Sequence, residues 1–177
     1  QFFEVNLTKN EEAKKYLLSR GLTEESIKAW RLGFAPDEWR ALREHLKGLG
    51  ESDENLIKAG LIKKSEERGG SEPYDVFRGR IIFPIFDPRG EIIAFSGRAL
   101  AKDTEPKYLN SPDTPLFTKS ETLYGLDKAR EEIRRKDYAV LVEGQMDLVL
   151  SHQAGVKNTV ASSGTAFTEL HLEKLRR

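Results

Sequence analysis

The chain has 177 residues, enough for one or two domains with a real core, and its 29 Lys and Arg balance its 29 Asp and Glu. A formal net charge of zero excludes a uniformly basic nucleic-acid binder, so any basic face must be local and offset by acid elsewhere. With no cysteine there is neither a disulfide nor a cysteine-ligated zinc, and no apolar run of about 18 residues or signal peptide is visible, so the expectation is a soluble intracellular chain.

The first region, roughly residues 1–65, reads as helical. Thr8-Lys9-Asn10-Glu11 has the form of a capping box, with the threonine oxygen taking an orphan amide and the glutamate reaching back. Ala13, Leu17 and Leu18 supply the apolar stripe, and Gly21 closes the helix. Thr23 caps a second short helix through Trp30, ended near Gly33. A third is expected from about Glu38 to Lys47 with Asp37 as its cap, and a fourth near Asp53–Ala59, stopping at Gly60. Ser65–Glu72 is polar and glycine-containing and reads as a loop.

The second region starts near Tyr74. RIIFPIF (80–86), a DPRG turn (87–90) and EIIAFSGRAL (91–100) predict a β-hairpin, with Gly90 at the positive-φ position. Pro84 has no amide hydrogen, so its strand should be an edge or carry a bulge there. Ala101–Ser120 reads as an extended loop. LYGLDKAREEIRR (123–135) predicts an amphipathic helix with Leu126, Ala129 and Ile133 inward and basic residues in its last turn. A buried strand over 139–142, a helix over 146–153, a strand over 156–161 and a helix after Thr168 complete a strand–helix–strand–helix series. That series predicts parallel pairing with a right-handed crossover.

Two groups of residues point to chemistry. In LVEGQMD (141–147), Glu143 falls at the C-terminal tip of a strand, where α/β sheets place ligands, and Asp147 on the first turn of the next helix. Glu143 alone reads more readily as an acid favoured by the positive helix end than as a ligand. Ser162-Ser163-Gly164-Thr165 after the following strand would let backbone amides approach an anion. The second group is basic: Arg78, Arg80, Arg98 and Lys107 lie on or beside the hairpin, and strict alternation puts Arg78 and Arg80 on one face with Ile82. Any one of them reads as a solvated charge. Together with Tyr108 and Asn110 in KYLNSP (107–112) they outline a groove holding phosphates beside an aromatic, although Tyr108 fits a core position equally well.

FRGRIIFPIFDPRGEIIAFSGRAL, PKYLNSPDTPLF, LYGLDKAR, VLVEGQMDLVL and ASSGTAFT resemble, in order and spacing, the catalytic core of the bacterial replicative DNA primases, and YLLSRGL and LGFAPDEW resemble the N-terminal part of that core. The resemblance covers nearly the whole chain. It implies a mixed α+β and α/β fold: an N-terminal basic subdomain of helices and a β-hairpin (1–122), then the start of a Toprim-type parallel sheet (123–177). It implies that Glu143 sits in a metal-dependent site with Asp147 beside it. It also implies that Arg20, Arg98 and Lys107 line the template and nucleotide surface, and that Arg78 and Arg80 belong to a matching motif. Gln145 stands where an aromatic is common, at a position that is not a ligand.

The same resemblance implies an enzyme that synthesises RNA primers on single-stranded DNA for chromosomal replication. Two divalent ions, Mg²⁺ or Mn²⁺, would stabilise the attacking and leaving oxygens of nucleotidyl transfer. Implied partners are the template strand, nucleoside triphosphates, the RNA–DNA hybrid, and the replicative helicase and single-strand binding protein through segments outside this chain, at the cytoplasmic replication fork and with no membrane. The family's Zn²⁺-binding domain and the strand with the DxD aspartates fall outside the sequence, so this piece is expected to be inactive alone. Its sheet is also expected to show an unpaired edge at strand 139–142 or 156–161. Two other readings stand beside this one: a metal-independent single-stranded nucleic-acid binding module, and another Toprim protein such as a topoisomerase or nuclease, against which the FRGR and PKYLNSP segments argue.

Overall fold

A computed structural model describes residues 1–64, 72–162 and 166–176. The chain opens with α1 (Phe2–Lys9) and α2 (Glu11–Ser19). The expected capping box is not formed. Phe3 and Leu7, one turn apart, are both buried, so Thr8 lies inside a helix and its hydroxyl donates to the Val5 carbonyl. Asn10 is the break, and its side chain accepts from the Ala13 amide at 2.8 Å. Ala13 and Leu17 are fully buried as expected, whereas Leu18 is exposed. Thr23 caps α3 (Glu24–Ala29) as read from the sequence.

The third helix is shorter than predicted. It is α4 (Ala41–Gly48), and Asp37 does not cap it. Its free amides at Leu42 and Arg43 instead donate to the buried carboxylate of Asp75 at 2.7 and 3.0 Å. A fourth helix, α5 (Asp53–Lys58), is capped by Ser52. Strands β2 (Ile62–Lys63) and β3 (Tyr74–Asp75) pair antiparallel across the segment 65–71, where the expected loop lies outside the described residues.

The main sheet is antiparallel. The predicted hairpin forms from β4 (Arg80–Phe86) and β5 (Ile92–Ala99). Asp87 opens its turn by accepting from the Arg89 and Glu91 amides, and Gly90 has φ +83°. Two three-residue strands flank the hairpin: β1 (Gly33–Ala35) beside β4 and β6 (Tyr108–Asn110) beside β5, giving the order β1-β4-β5-β6. Thus β4 is central. Pro84 is tolerated because β1 pairs only with residues 80–82, leaving no strand to receive an amide beyond them, and a register shift follows at Ile85/Phe86. Helix α1 lies directly on β1: a Cβ at Gly33 would stand 2.4 Å from the Phe3 Cβ, so only glycine permits the contact.

Cross-strand partners share a face. Ile81, Phe83, Ile85 and Ala94 point to the larger core, and the pairs Arg98–Tyr108 and Ser96–Asn110 belong to that same face. Arg80, Ile82, Gly97 and Leu109 point to the opposite face, where Phe3, Leu42 and Phe77 close a second core.

The parallel unit comes next in the chain. Helix α6 (Leu126–Lys136) buries Leu126, Ala129 and Ile133, with Arg134, Arg135 and Lys136 in its last turn, as the periodicity predicts. Then come β7 (Val140–Val142), α7 (Gln145–Gln153), β8 (Thr159–Ala161) and α8 (Glu169–Leu175), with β7 and β8 parallel. The strand over 139–142 is not buried: Leu141 is 45% exposed, because β7 is flanked on one side only. The other edge of β8 is bridged by Tyr124. The second strand is also shorter than its sequence signal, since Val156 is exposed. One core cluster runs from Leu7, Ala13 and Trp30 through Ile81 and Phe83 to Tyr124, Leu148 and Ala161, so sheet and parallel unit are packed as one body.

Candidate nucleic-acid and metal site

The basic residues do not form one groove; they divide into three environments. Arg98, at the end of β5, lies between two tyrosines. Its Cζ is 4.9 Å from the Tyr16 ring centre and 5.5 Å from that of Tyr108, and its Nη1 donates to the Tyr108 hydroxyl at 3.2 Å. These contacts hold the guanidinium at the mouth of a cleft lined by Lys15, Tyr16, Ser19, Arg98, Lys102 and Lys107, with Glu12 the acid among them. Lys107 and Tyr108 are exposed, as is Arg20, one residue past Ser19 at the end of α2. Asn110 is half-buried on β6, on the Arg98 face.

Arg78 is elsewhere. Gly79, at φ +58°, ends the alternation before β4 begins, so Arg78 does not share the Ile82 face. Its guanidinium packs 4.3 Å from the Trp39 ring centre and 5.2 Å from that of Tyr74, and it donates to the Asp75 carbonyl. Lys63 sits over the same Tyr74 ring, and Trp39 is 62% exposed. The result is a second basic–aromatic patch.

Arg80 does share the Ile82 face and is buried at 4% exposure. Its Nη1 donates to the carbonyls of Pro106 and Lys107 at 2.7 and 3.4 Å. Burial and the neighbouring Arg78 both push its pKa below the usual guanidinium value. Arg80 therefore holds the backbone beside Lys107 and offers no charge to solvent.

At the end of β7, Glu143 and Asp147 are both exposed. Asp147 is the third residue of α7, and its carboxylate folds back over Gly144, where a Cβ would stand 2.9 Å from Oδ2. The α7 N-terminus favours negative charge there. Of the hydroxyl run after β8, only Ser162 is among the described residues, and it is buried. Glu143 and Asp147 are hard oxygen donors of the kind Mg²⁺ and Mn²⁺ take, but they fall short of an octahedral shell. No group of three or more His, Asp and Glu able to hold a metal ion occurs among the described residues. Nor is any helix among them long and apolar enough to cross a membrane.

Sequence reasoning misses Tyr16, Trp39 and Tyr74. Only Trp39 carries a signal, as a large aromatic in the polar run PDEWR, and nothing in the sequence shows that Tyr16 meets Arg98 or that Trp39 meets Arg78.

Fold and site together define a mixed α/β protein in which a sheet with basic–aromatic surfaces is packed against a Toprim-type parallel unit bearing an acid at its strand end. Residues 2–130 match the DNA primase catalytic core, N-terminal domain, and residues 137–177 match the Toprim domain. The chain belongs to the DNA primase catalytic-core family. It is 44% identical over 177 residues to a DNA primase of Clostridium acetobutylicum, covering all of this chain and 29% of that relative, so it spans under a third of that protein's length. The RNA polymerase domain of the Mycobacterium tuberculosis primase DnaG is similar at a TM-score of 0.91 and 38% identity, covering 99% of this chain and 57% of that one. A DnaG primase catalytic domain bound to single-stranded DNA is similar at a TM-score of 0.83 and 40% identity, covering 98% of this chain and 54% of that one.

Proposed function

We propose that this chain is the template- and nucleotide-handling part, together with the first metal-binding carboxylate, of an enzyme that makes short RNA primers on single-stranded DNA. Residues 1–122 would hold the template and the incoming nucleotide, and residues 123–177 would begin the Toprim unit. The observation that carries the reading is Arg98, stacked between Tyr16 and Tyr108 beside Lys107 at the mouth of a cleft. A guanidinium held beside aromatic rings can bind phosphate, and exposed ring surface next to it can accept a base. Arg20, exposed at the end of α2 next to the cleft residue Ser19, would add charge near that cleft, while Asn110 lines a separate small cavity with Lys119 and Ser162. Arg80 fixes the Lys107 backbone. The Trp39–Arg78 patch gives a second place for the strand to stack.

Glu143, with Asp147 beside it, would hold Mg²⁺ or Mn²⁺ together with donors from the longer protein and from nucleotide phosphates. The ion would supply charge stabilisation for nucleotidyl transfer. Zinc, helicase, single-strand binding protein and the replication fork belong to the proposal for the longer protein. The test uses the longer primase and its Glu143→Gln variant, with template, nucleotides and magnesium. Primer synthesis should be lost while single-stranded DNA binding persists; synthesis at the original rate in Glu143→Gln would refute the role.

The exposed Trp39–Tyr74–Arg78 patch also supports a second reading, metal-independent single-strand binding by this chain alone. Binding that is unchanged by a chelator and lost in Trp39→Ala would favour it.

A further inference from the structure

A buried amide joins the acidic turn to the basic strand. Gln145 is the first residue of α7, between Glu143 and Asp147, and it is 2% exposed. Its Nε2 donates to the hydroxyl of Ser96 at 2.7 Å, across 49 residues of sequence. Ser96 is fully buried on β5. By alternation it lies on the same face as Arg98, two residues and about 7 Å along the strand. Ser96 is itself well anchored: its neighbour Phe95 exchanges hydrogen bonds with Ser111, and Ser96 pairs with Asn110 on β6.

We infer that Gln145 is a positioning residue, and that its hydrogen bond to Ser96 sets the distance between the Glu143–Asp147 turn and the Arg98–Tyr108 stack. Leu148 and Val149 bury the middle of α7 and Gln153 ties its last turn to Gly21 and Thr23, whereas at the first turn the apolar contact is Met146, which is non-directional. A buried amide–hydroxyl bond is directional. It places the residue between the two carboxylates at one point on the strand that carries the basic stack. For the reaction the inference rests on the primer-synthesis reading; for the joint it rests on the geometry alone.

The test separates placement from stability. Ser96→Ala leaves a buried amide without its acceptor, and Gln145→Met removes the amide at similar volume. The double variant removes both polar groups, so its stability should return toward that of the original chain. If Gln145 only supports the fold, every property returns with stability. If it positions the turn, the double variant should melt normally and bind single-stranded DNA normally, yet show two consequences. Exchange of the Leu148 amide, which donates to the Gly144 carbonyl and closes the first turn of α7, should stay roughly ten-fold faster. Turnover by the longer primase should stay depressed by about 10- to 100-fold with nucleotide KM little changed, the size expected of a misplacement near 1 Å.

Recovery of exchange protection in the double variant would overturn the inference, and so would a rise in KM with turnover intact. Exchange alone decides the joint. If the longer protein makes no primers at all, the functional reading fails while the exchange result still confirms or refutes the link.

Discussion

Replacing Arg98 and Lys107 tests the cleft most directly. Each phosphate contact to a single strand adds about 0.7 to the slope of log affinity against log salt. Between 50 and 200 mM salt, a slope of 0.7 amounts to roughly a 2.6-fold change in affinity per contact. Arg98→Ala should lower affinity for a single-stranded oligonucleotide and flatten the slope by about 0.7, and the double Arg98→Ala/Lys107→Ala variant should flatten it by about 1.4. Arg98→Lys separates charge from shape. Its ammonium keeps the phosphate contact but loses the plane stacked between Tyr16 and Tyr108, so the slope should persist while affinity falls by about 0.5–1 kcal/mol, or roughly two- to five-fold. Fluorescence anisotropy across a salt series at constant pH reads both quantities. An unchanged slope in the double variant would mean that the two cations are structural, and a slope lost equally in Arg98→Lys would mean that the stack is needed to present the charge at all.

Trp39→Ala should weaken single-strand binding by about 1–3 kcal/mol, the value of one base stack, with little change in salt slope, as anisotropy would show. Asp75→Ala leaves the buried Leu42 and Arg43 amides without an acceptor, so thermal unfolding should show about 2–4 kcal/mol of lost stability. Burial lowers the pKa values of both His152 and His171 below the usual imidazole value. Both are therefore protonated more readily when unfolded. Stability should be constant above about pH 6.5 and decline as pH falls from there toward the folded-state values, and a His152→Gln/His171→Gln variant should flatten the melting temperature between about pH 7.5 and 5. Because Glu143 and Asp147 are joined by no third candidate ligand among the described residues, this chain alone should form no dinucleotide above a Glu143→Gln control in a template-dependent assay.

The hairpin was legible because its instructions are local: a DPRG turn between two apolar runs sets both strands and their register. The parallel unit was legible from α6, whose Leu126, Ala129 and Ile133 recur at helical spacing, and from two short apolar runs each ahead of a helix. Strands β1 and β6 were not. Each has three residues, and its ladder bonds depend on a partner that only the folded hairpin provides. The α4 cap comes from Asp75, more than thirty residues downstream, and no spacing rule announces it. Arg80 shows the limit most clearly. Alternation gives its face, but which of the two faces lies under the 106–107 backbone is a property of the packed sheet, and that packing makes the expected phosphate ligand a buried tie.

The division between sheet and parallel unit matters for how the site works. Gly125, at φ +80°, brings the chain onto Leu148 so closely that a Cβ would stand 2.8 Å from its Cδ1 and 3.2 Å from Trp30 Cη2. The Trp30 ring is in turn packed 5.6 Å from Tyr124 and 5.0 Å from His152, with Lys128 over its face. Residues from α3, from the 123–125 segment and from α7 therefore meet in one fully packed cluster, and such cores change between discrete arrangements rather than bending smoothly. This packing fixes α7 against the 123–125 segment, and the Gln145–Ser96 bond adds the link to the basic strand. In the proposed function, adaptation to a template would fall to the exposed side chains Lys102 and Lys107 at the cleft mouth. A site of this kind places much of its orienting cost in folding rather than in binding, which is the condition under which fixed dipoles and charges are most effective on a reacting phosphate.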